Sequence, residues 1–423
     1  MFKKFSFNFW VVIFMEFVER GSYYGVMSVL SVYMILSVQD GGLGFSKEGV
    51  GVIKSVITPI LYLLPILSGT IADRFGYRKT LMFAFTVMSL GYFATGLVSS
   101  YEQVFLALIL MVVGAGTFKP VISGTIARTT DESNSTLGFG IFYWSINLGA
   151  FLFPLILVPY LKAISWSYIF FMAAIGTGSL LLLNIFLYKE PHRPKNNKPL
   201  SQVFKEMLMV LGDFRFILLI VLYSSFWILY FQMFDTVLWF LGDYIDVTPM
   251  NQAVNSFLGI FISNPQWSFD AEHVTVLNAL TIITLQIFIS KIVQKYHALP
   301  TMIAGLVMGT IGIAILSISN SIWVFMSGII IFSIGEMTAH PKFLSYVGII
   351  APPDKKALYL GYSFLYGVIG SGVGGILGAS LYTHYVDGLN SPSTMWLIFT
   401  GIGCFSIIGL LLYNKFILKG KTE

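Results

Sequence analysis

"FMEFVERGSYYGV", residues 14–26, is apolar enough to read as the middle of a membrane helix, yet it holds Glu16, Glu19 and Arg20 within five positions. A charge at a bilayer centre costs about 2.5–3.5 kcal/mol on insertion scales, so three cost roughly 8–10 kcal/mol unless they are paired or hydrated. A helix places Glu16, Arg20 and Tyr23 on one face, with Glu19 and Tyr23 also one turn apart. A purely structural cluster would pin helices together through one acid and Arg20. Two acids and one base, however, leave a charge that must be protonated or find another partner. An acid that repeatedly gains and loses a proton suits a proton-coupled transporter.

The rest of the chain fits a membrane reading. Its 423 residues are 56% hydrophobic and 11% charged, with a mean hydropathy of +0.80, where a soluble domain carries about 25% charged residues. A hydrocarbon core of roughly 30 Å takes about 20 helical residues to cross. Continuous apolar runs of that order recur at 8–36, 48–72, 80–99, 102–127, 138–161, 165–188, 214–243, 274–294, 300–318, 321–348, 357–384 and 392–417. They lack the alternation of barrel strands. The expected fold class is therefore an all-α membrane protein with twelve transmembrane helices. The basic start "MFKKFSFNFWVVIF" resembles a signal peptide, but its apolar run continues through charges without a small-residue cleavage site and is kept as the first span.

Charge placement gives an expected orientation. Of the 25 Lys and Arg, Arg20, Lys54, Lys119 and Lys342 fall inside spans, and Lys47 and Lys162 in connectors on one side. All the others fall in the termini or at the opposite side, which is therefore expected to be cytoplasmic, with both termini in it. The pI near 9.0 is then the positive-inside rule and not a nucleic-acid site. The expected location is a plasma or bacterial inner membrane, with lipid around the chain and a monomer as its unit.

The connector "KEPHRPKNNKPLSQ" (189–202) divides the spans six and six. The expected organisation is a six-helix bundle over 1–188, a cytoplasmic linker with an amphipathic segment over 189–213, and a second six-helix bundle over 214–423. Two halves around a polar linker are the layout of transporters that rock about a midplane site. In "GAGTFKPVISG" (114–124), Lys119 sits in an apolar helix between Gly116 and Pro120, residues that permit close approach and a bend. A lysine there either balances the spare acid of the first span or holds an anionic group of a substrate.

These residues resemble the proton-dependent oligopeptide transporters of the major facilitator superfamily. "EFVERGSYYG" is similar to that family's first-helix E-x-x-E-R-F-x-Y-Y-G motif, with Gly21 where Phe is usual. "GAGTFKPVIS" is similar to its fourth-helix segment, and "FYWSINLGAF" (142–151) to its fifth-helix signature. "GTIADRFGYRK" (69–79) resembles the superfamily's cytoplasmic loop.

The resemblance implies two six-helix bundles in that superfamily's fold and import of di- and tripeptides, with protons as coupling ion and no other cofactor. It implies that Arg20, Tyr23, Tyr24, Tyr62, Lys119 and Asn147 contact substrate, and that Asp73, Arg74 and Arg78 are structural gate charges. In the second half, "GEMTAHP" (335–341) puts Glu336 where the family receives a peptide amino terminus. Asn278 falls where the family has Asn-Pro, here followed by Ala279. Phe364 is expected as an aromatic pocket wall. "FWILYFQ" (226–232) carries Phe231 where the family has an acid. Two residues could compensate: Asp235, one turn outward, and His340, one turn from Glu336, which could equally be a ring bonded to a backbone carbonyl beside Pro341. The proton-coupling set is thus Glu16, Glu19, Arg20, Lys119, Asp235 and His340. Lys54 and Lys342 have no assigned role and lie near enough to helix ends to snorkel.

Other readings fall away or stay as alternatives. "GSGVGG" (370–375) lies inside an apolar span with no preceding strand, so close helix packing explains it better than a dinucleotide. Cys404 is the single cysteine, excluding an intrachain disulfide. No His and carboxylate pair has metal-ligand spacing and no P-loop is present, so neither an enzyme, a metal site nor ATP-driven transport is expected. A carrier of another small anion or zwitterion, such as an amino-acid conjugate or nitrate, and a substrate sensor on the same scaffold remain the alternatives.

Overall fold

A computed structural model describes residues 5–131, 134–191, 200–352 and 355–417; residues 192–199 of the expected linker lie outside them. In the first half, α1 (Phe7–Met27) and the short α2 (Leu30–Ile35) make the first span. They are followed by α3 (Lys47–Phe75), α4 (Tyr77–Leu97), α5 (Tyr101–Thr129), α6 (Ser135–Leu152) continued by α7 (Val158–Ile164), and α8 (Ser167–Phe186). An amphipathic α9 (Leu200–Leu211) precedes the second half. That half comprises α10 (Phe214–Gln232) with α11 (Thr236–Tyr244), α12 (Thr248–Leu258), α13 (Glu272–Val293), α14 (Ala298–Ile315) and α15 (Ile322–Ile350). It ends with α16 (Lys356–Tyr362), α17 (Leu365–Leu381) and α18 (Pro392–Leu412). Eleven spans among the described residues are long and apolar enough to cross a membrane. The twelfth contains α1, set apart by its three charges.

Side chains at the helix starts satisfy amides that the helix cannot. Ser6 accepts from the Phe9 amide, Ser46 from that of Gly49, and Asp213 from those of Arg215 and Phe216. Prolines fall inside α3 (Pro59, Pro65), α5 (Pro120) and α15 (Pro341), each removing a ladder bond from a helix that faces the centre of the molecule.

Three runs expected to be continuous, 8–36, 214–243 and 357–384, are broken: at Ser28–Val29, at Met233–Asp235 and at Ser363–Phe364. The first two breaks lie against each other. Ser31 Oγ donates to the Phe234 carbonyl at 2.7 Å, and Gln232 spans its own break by accepting from Thr236 and donating to the Gly374 carbonyl. Backbone groups freed by a break within an apolar span need such partners.

The halves meet along two seams, α3 on α17 and α6 on α13. The first depends on glycine. A Cβ on Gly51 would come within 2.6 Å of the Ala379 Cβ, and one on Gly375 within 2.7 Å of the Gly51 carbonyl. Gly370 and Gly374, from the "GSGVGG" stretch, face Trp227 and Ile228 of α10 instead. The stretch packs helices on two sides, as its apolar context requires.

At the end of the molecule opposite the start of α1, lysines of the first half meet acids of the second. Lys47 lies 2.9 Å from Asp387 and 3.3 Å from Asp243, and Lys162 lies 2.6 Å from Asp270 and 2.8 Å from Glu272. This distal end is therefore drawn shut. At the proximal end the charges of residues 69–79 make contacts within the first half. Asp73 meets Arg128 at 3.4 Å and accepts from the Tyr77 hydroxyl, Arg78 donates to the Ile185 carbonyl, and Arg74 lies over the Phe75 ring.

The glycine seam yields a test. Gly51→Leu should lower the thermal unfolding midpoint in detergent, with a loss of about 1–3 kcal/mol from overpacking. Gly361→Ala, at a helical position where the added Cβ meets no neighbouring atom within 4 Å, should not lower it.

Candidate functional site

The helix α1 brings its three charges to the centre of the fold. Arg20 is gripped through two nitrogens by Glu19, with Nε 2.5 Å from Oε2 and the second contact at 2.6 Å. The i,i+4 partner foreseen from spacing, Glu16, is the weaker contact at 3.8 Å, and its second oxygen is buried without a hydrogen-bond partner. Adjacent residues can pair this way because the Glu19 carboxylate and the long Arg20 side chain converge off the helix surface, where the fork geometry matches. The guanidinium also lies 4.7 Å from the centre of the Tyr23 ring. All three charged side chains are buried.

Arg20 faces a central chamber together with Tyr23 and Tyr24 of α1, Lys54, Thr58 and Tyr62 of α3, and Lys119 of α5. The second half contributes Tyr230, Phe231, Phe234 and Asp235. Its accessible volume is about 40 Å³, room for about one water. Lys119 Nζ sits 5.3 Å from the Tyr62 ring centre. No carboxylate of the described residues comes within 4.0 Å of it. Leu61, Tyr62 and Lys119 also border a second cavity of about 220 Å³ toward the proximal end, with Pro65, Pro120 and Phe364. Tyr62 and Lys119 thus stand where the two spaces meet, and Phe364 is a wall of the outer one.

Lys54 was missing from the sequence-derived site. It faces Asp235 across the bundles at 3.2 Å, both side chains less than a tenth exposed. The two are close but poorly aligned, making no proper hydrogen bond, so the contact is Coulombic. The sequence carried a signal: Lys54, Thr58, Leu61, Tyr62 and Pro65 repeat at helical spacing, and all face the cavities. Asp235 reaches the chamber because α10 ends at Gln232, two residues short of it, and not through the continuous helix that one-turn spacing assumed. Phe231, where an acid was looked for, packs edge-on to Tyr62 at 5.8 Å.

Other expected residues stand further back. Glu336 accepts from Asn278 at 3.2 Å, and Asn278 also donates to Ser333 at 2.8 Å. Tyr230 and Phe234 border both the chamber and a small pocket at Asn278, forming an aromatic wall between them. Glu336 therefore does not share the chamber of Arg20 and Lys119, although it lies within electrostatic reach of Tyr24, Tyr62 and Tyr230. Asn147 donates to the Tyr143 carbonyl of its own helix at 2.9 Å. The His340 ring meets the Tyr223 hydroxyl at 3.3 Å inside a box with Trp227 and Tyr366, not a backbone carbonyl beside Pro341.

Comparison with known proteins sets this geometry in context. The family model of the Major Facilitator Superfamily matches residues 10–267. The chain is similar to the uncharacterized transporter YclF of Bacillus subtilis, at 32% identity over 180 residues covering 42% of the chain and 36% of the relative. It is similar to a di-/tripeptide transporter of Lactococcus lactis, at 30% over 200 residues covering 43% and 39%. It is also similar to dipeptide and tripeptide permease B of Photorhabdus asymbiotica, at 31% over 218 residues covering 48% and 42%. The matched segments thus span between about a third and two fifths of these relatives' own length. Among solved structures, a peptide transporter POT in complex with sulfate superposes with a TM-score of 0.79 at 20% identity, covering 97% of this chain and 94% of the other. A POT family transporter in complex with 5-aminolevulinic acid gives 0.77 at 22%, covering 98% and 96%. At these identities the structural likeness concerns the fold.

The Lys54–Asp235 pair generates a stability prediction. Lys54→Gln or Asp235→Asn alone should cost about 3 kcal/mol or more, because the remaining charge is buried without compensation. Lys54→Met with Asp235→Leu should recover most of that loss in the same detergent melting assay. Equal melting of the single and double variants would contradict the pairing.

Proposed function

The chain belongs to the Major Facilitator Superfamily, and we propose that it is a proton-coupled symporter importing short peptides by alternating access. The observation that carries this reading is the state of the chamber's cations. Arg20 is held by Glu19 and Lys54 by Asp235, while Lys119 has no carboxylate within ion-pair distance among the described residues. A half-buried ammonium without a counter-charge inside a membrane span is costly and is relieved by an anionic group of a substrate. Relatives named as di-/tripeptide transporters, similar over part of their length, support a peptide carboxylate as that group.

In this mechanism the peptide carboxylate meets Lys119 and, once Glu19 or Glu16 takes up a proton, the released Arg20. Its ammonium meets Glu336, with Asn147 and Asn278 orienting the backbone and Tyr23, Tyr24 and Tyr62 lining side-chain pockets. The chamber as it stands admits water but no peptide, so binding requires the halves to part and the Tyr230–Phe234 wall to shift. Deprotonation on the proximal side returns Arg20 to its acid and expels the peptide. Asp235 takes the part of the missing acid at residue 231 through Lys54, opening and closing the distal side. His340, boxed by aromatics away from the chamber, has the weaker case for carrying protons. The excess of Lys and Arg at the proximal end supports a reading with both termini in the cytoplasm; the chain is proposed to work as a monomer in the plasma or bacterial inner membrane.

Phe231 in place of an acid, and Ala279 after Asn278, favour one second reading: the same scaffold carrying another small anion or zwitterion. Uptake of labelled dipeptide into proteoliposomes under an imposed proton gradient separates the cases. Accumulation means peptide symport, binding without accumulation means a sensor, and neither means a different substrate. In that assay Lys119→Ala should reduce gradient-driven accumulation to background while sparing counterflow exchange. Full accumulation by the variant would remove Lys119 from the mechanism.

A further inference from the structure

Lys342 has no part in the chamber, and its surroundings give it another. The helices α13, α14 and α15 enclose an apolar groove of about 470 Å³ on the outside of the second half. Ile292 and Tyr296 at its rim are more than half exposed. Its threonine hydroxyls, on Thr301 and Thr338, are already bonded to the carbonyls of His297 and Ile334, and the remaining hydroxyl belongs to the largely exposed Tyr296 at the rim. The groove is otherwise lined by apolar side chains and suits a hydrocarbon chain.

Lys342 continues the stripe of α15 that lines the groove, following Ile334 and Thr338 at four-residue steps. Its ammonium closes the proximal end of the groove, donating to the Tyr296 carbonyl at 2.7 Å. Lys342 lies twenty residues after Ile322, the first residue of α15, about 30 Å along the helix and so one hydrocarbon thickness from the distal end. Lys295 is next to Tyr296 in the chain, and Lys291 lies one turn earlier. Residues 274–335, which include α13 after its first two residues, α14 and the turn between them, contain no Asp or Glu. Among the described residues none of the three lysines has a carboxylate within 4.0 Å.

We propose that this groove is a binding site for an anionic glycerophospholipid, with one acyl chain in the groove and the phosphate on Lys342, flanked by Lys295 and Lys291. A headgroup there gains two things that bulk lipid lacks: a pre-formed slot for its chain and a cluster of cations at the depth of its phosphate. The site is separate from the chamber and does not depend on what the protein carries.

The test uses the full chain in detergent, stripped of lipid and titrated with phosphatidylglycerol, phosphatidylcholine or inorganic phosphate, reading retained lipid by native mass spectrometry and the melting midpoint. Phosphatidylglycerol should be retained and stabilise more than phosphatidylcholine, and inorganic phosphate should do neither. Lys342→Gln should cut the preference for phosphatidylglycerol about fivefold, the contribution of one lysine near a lipid surface, and Lys342→Arg should restore it. Ala304→Phe, which fills the groove from an exposed position, should abolish retention of both lipids, and it keeps the test open if Lys342→Gln fails to fold. Equal retention of the two lipids, an equal effect of inorganic phosphate, or unchanged binding to Ala304→Phe would each overturn the proposal.

Discussion

Lys54 and Asp235 face each other across the two helix bundles at 3.2 Å, each with less than a tenth of its side chain exposed. Neither charge is stable there alone, and their attraction is large only while the halves are together, because the surrounding medium polarises weakly. The pair therefore ties the arrangement of the bundles to a protonation state: a neutral carboxyl at residue 235 would leave the ammonium without its partner. The peripheral pairs, Lys47 with Asp387 and Asp243, and Lys162 with Asp270 and Glu272, have the same polarity but lie nearer water. Pairs with half-exposed acids contribute little each, so Lys47 with Asp387 and Asp243 registers the closed distal end without locking it. The pairs with buried acids, Lys54 with Asp235 and Lys162 with Glu272, are the ones whose breakage is expensive.

Phe231 changes how the first-span charges are balanced. An acid at that position would face Arg20 from the second half; a phenylalanine instead packs on Tyr62 and leaves Arg20 entirely to Glu19 and Glu16. The ion pair that crosses between the bundles at the chamber lies about one turn further out, between Asp235 and Lys54 of α3. The break at Met233–Asp235 makes this possible. It turns Asp235 into the chamber while Ser31 takes the Phe234 carbonyl from across the seam. Phe231, the break and the Lys54–Asp235 pair form one arrangement.

The sequence revealed the helices well and their interruptions poorly. Span positions follow from apolar length, a property of each segment alone, and the observed ends fall close to the expected ones. The breaks at Ser28–Val29 and Met233–Asp235 could not be seen in that way, since both sides of each are apolar and the stabilising bonds come from residues two hundred positions away. Arg20 and Lys119 were legible as cavity residues because an intramembrane charge needs a wet or paired environment, whereas Tyr24, Tyr62 and Asp235 were singled out through the family resemblance. Lys54 was passed over because a lysine seven residues into a span can snorkel; only the stripe it shares with Tyr62 argued otherwise. The screening of Glu336 by Tyr230 and Phe234 depends on how side chains of three helices pack, which no local pattern encodes.

The polarity of the seam bears on what fits between the halves. Every ion pair that crosses it among the described residues puts the cation on the first half and the acid on the second. The free cation of the chamber, Lys119, is again on the first half, and Glu336, an acid with no cation within 4.0 Å among the described residues, is on the second. A zwitterion placed between them, carboxylate toward Lys119 and ammonium toward Glu336, becomes one more link of the same sense. An anion lacking the ammonium would satisfy the first half and leave Glu336 without a counter-charge, drawing the bundles together less strongly. The glycine contacts of Gly51 with Gly375 and Ala379 leave α3 and α17 backbone against backbone, with few interlocking side chains to resist a pivot. A seam that can pivot, closed by pairs whose polarity a dipolar cargo reproduces, favours a substrate carrying both charges over one carrying either alone.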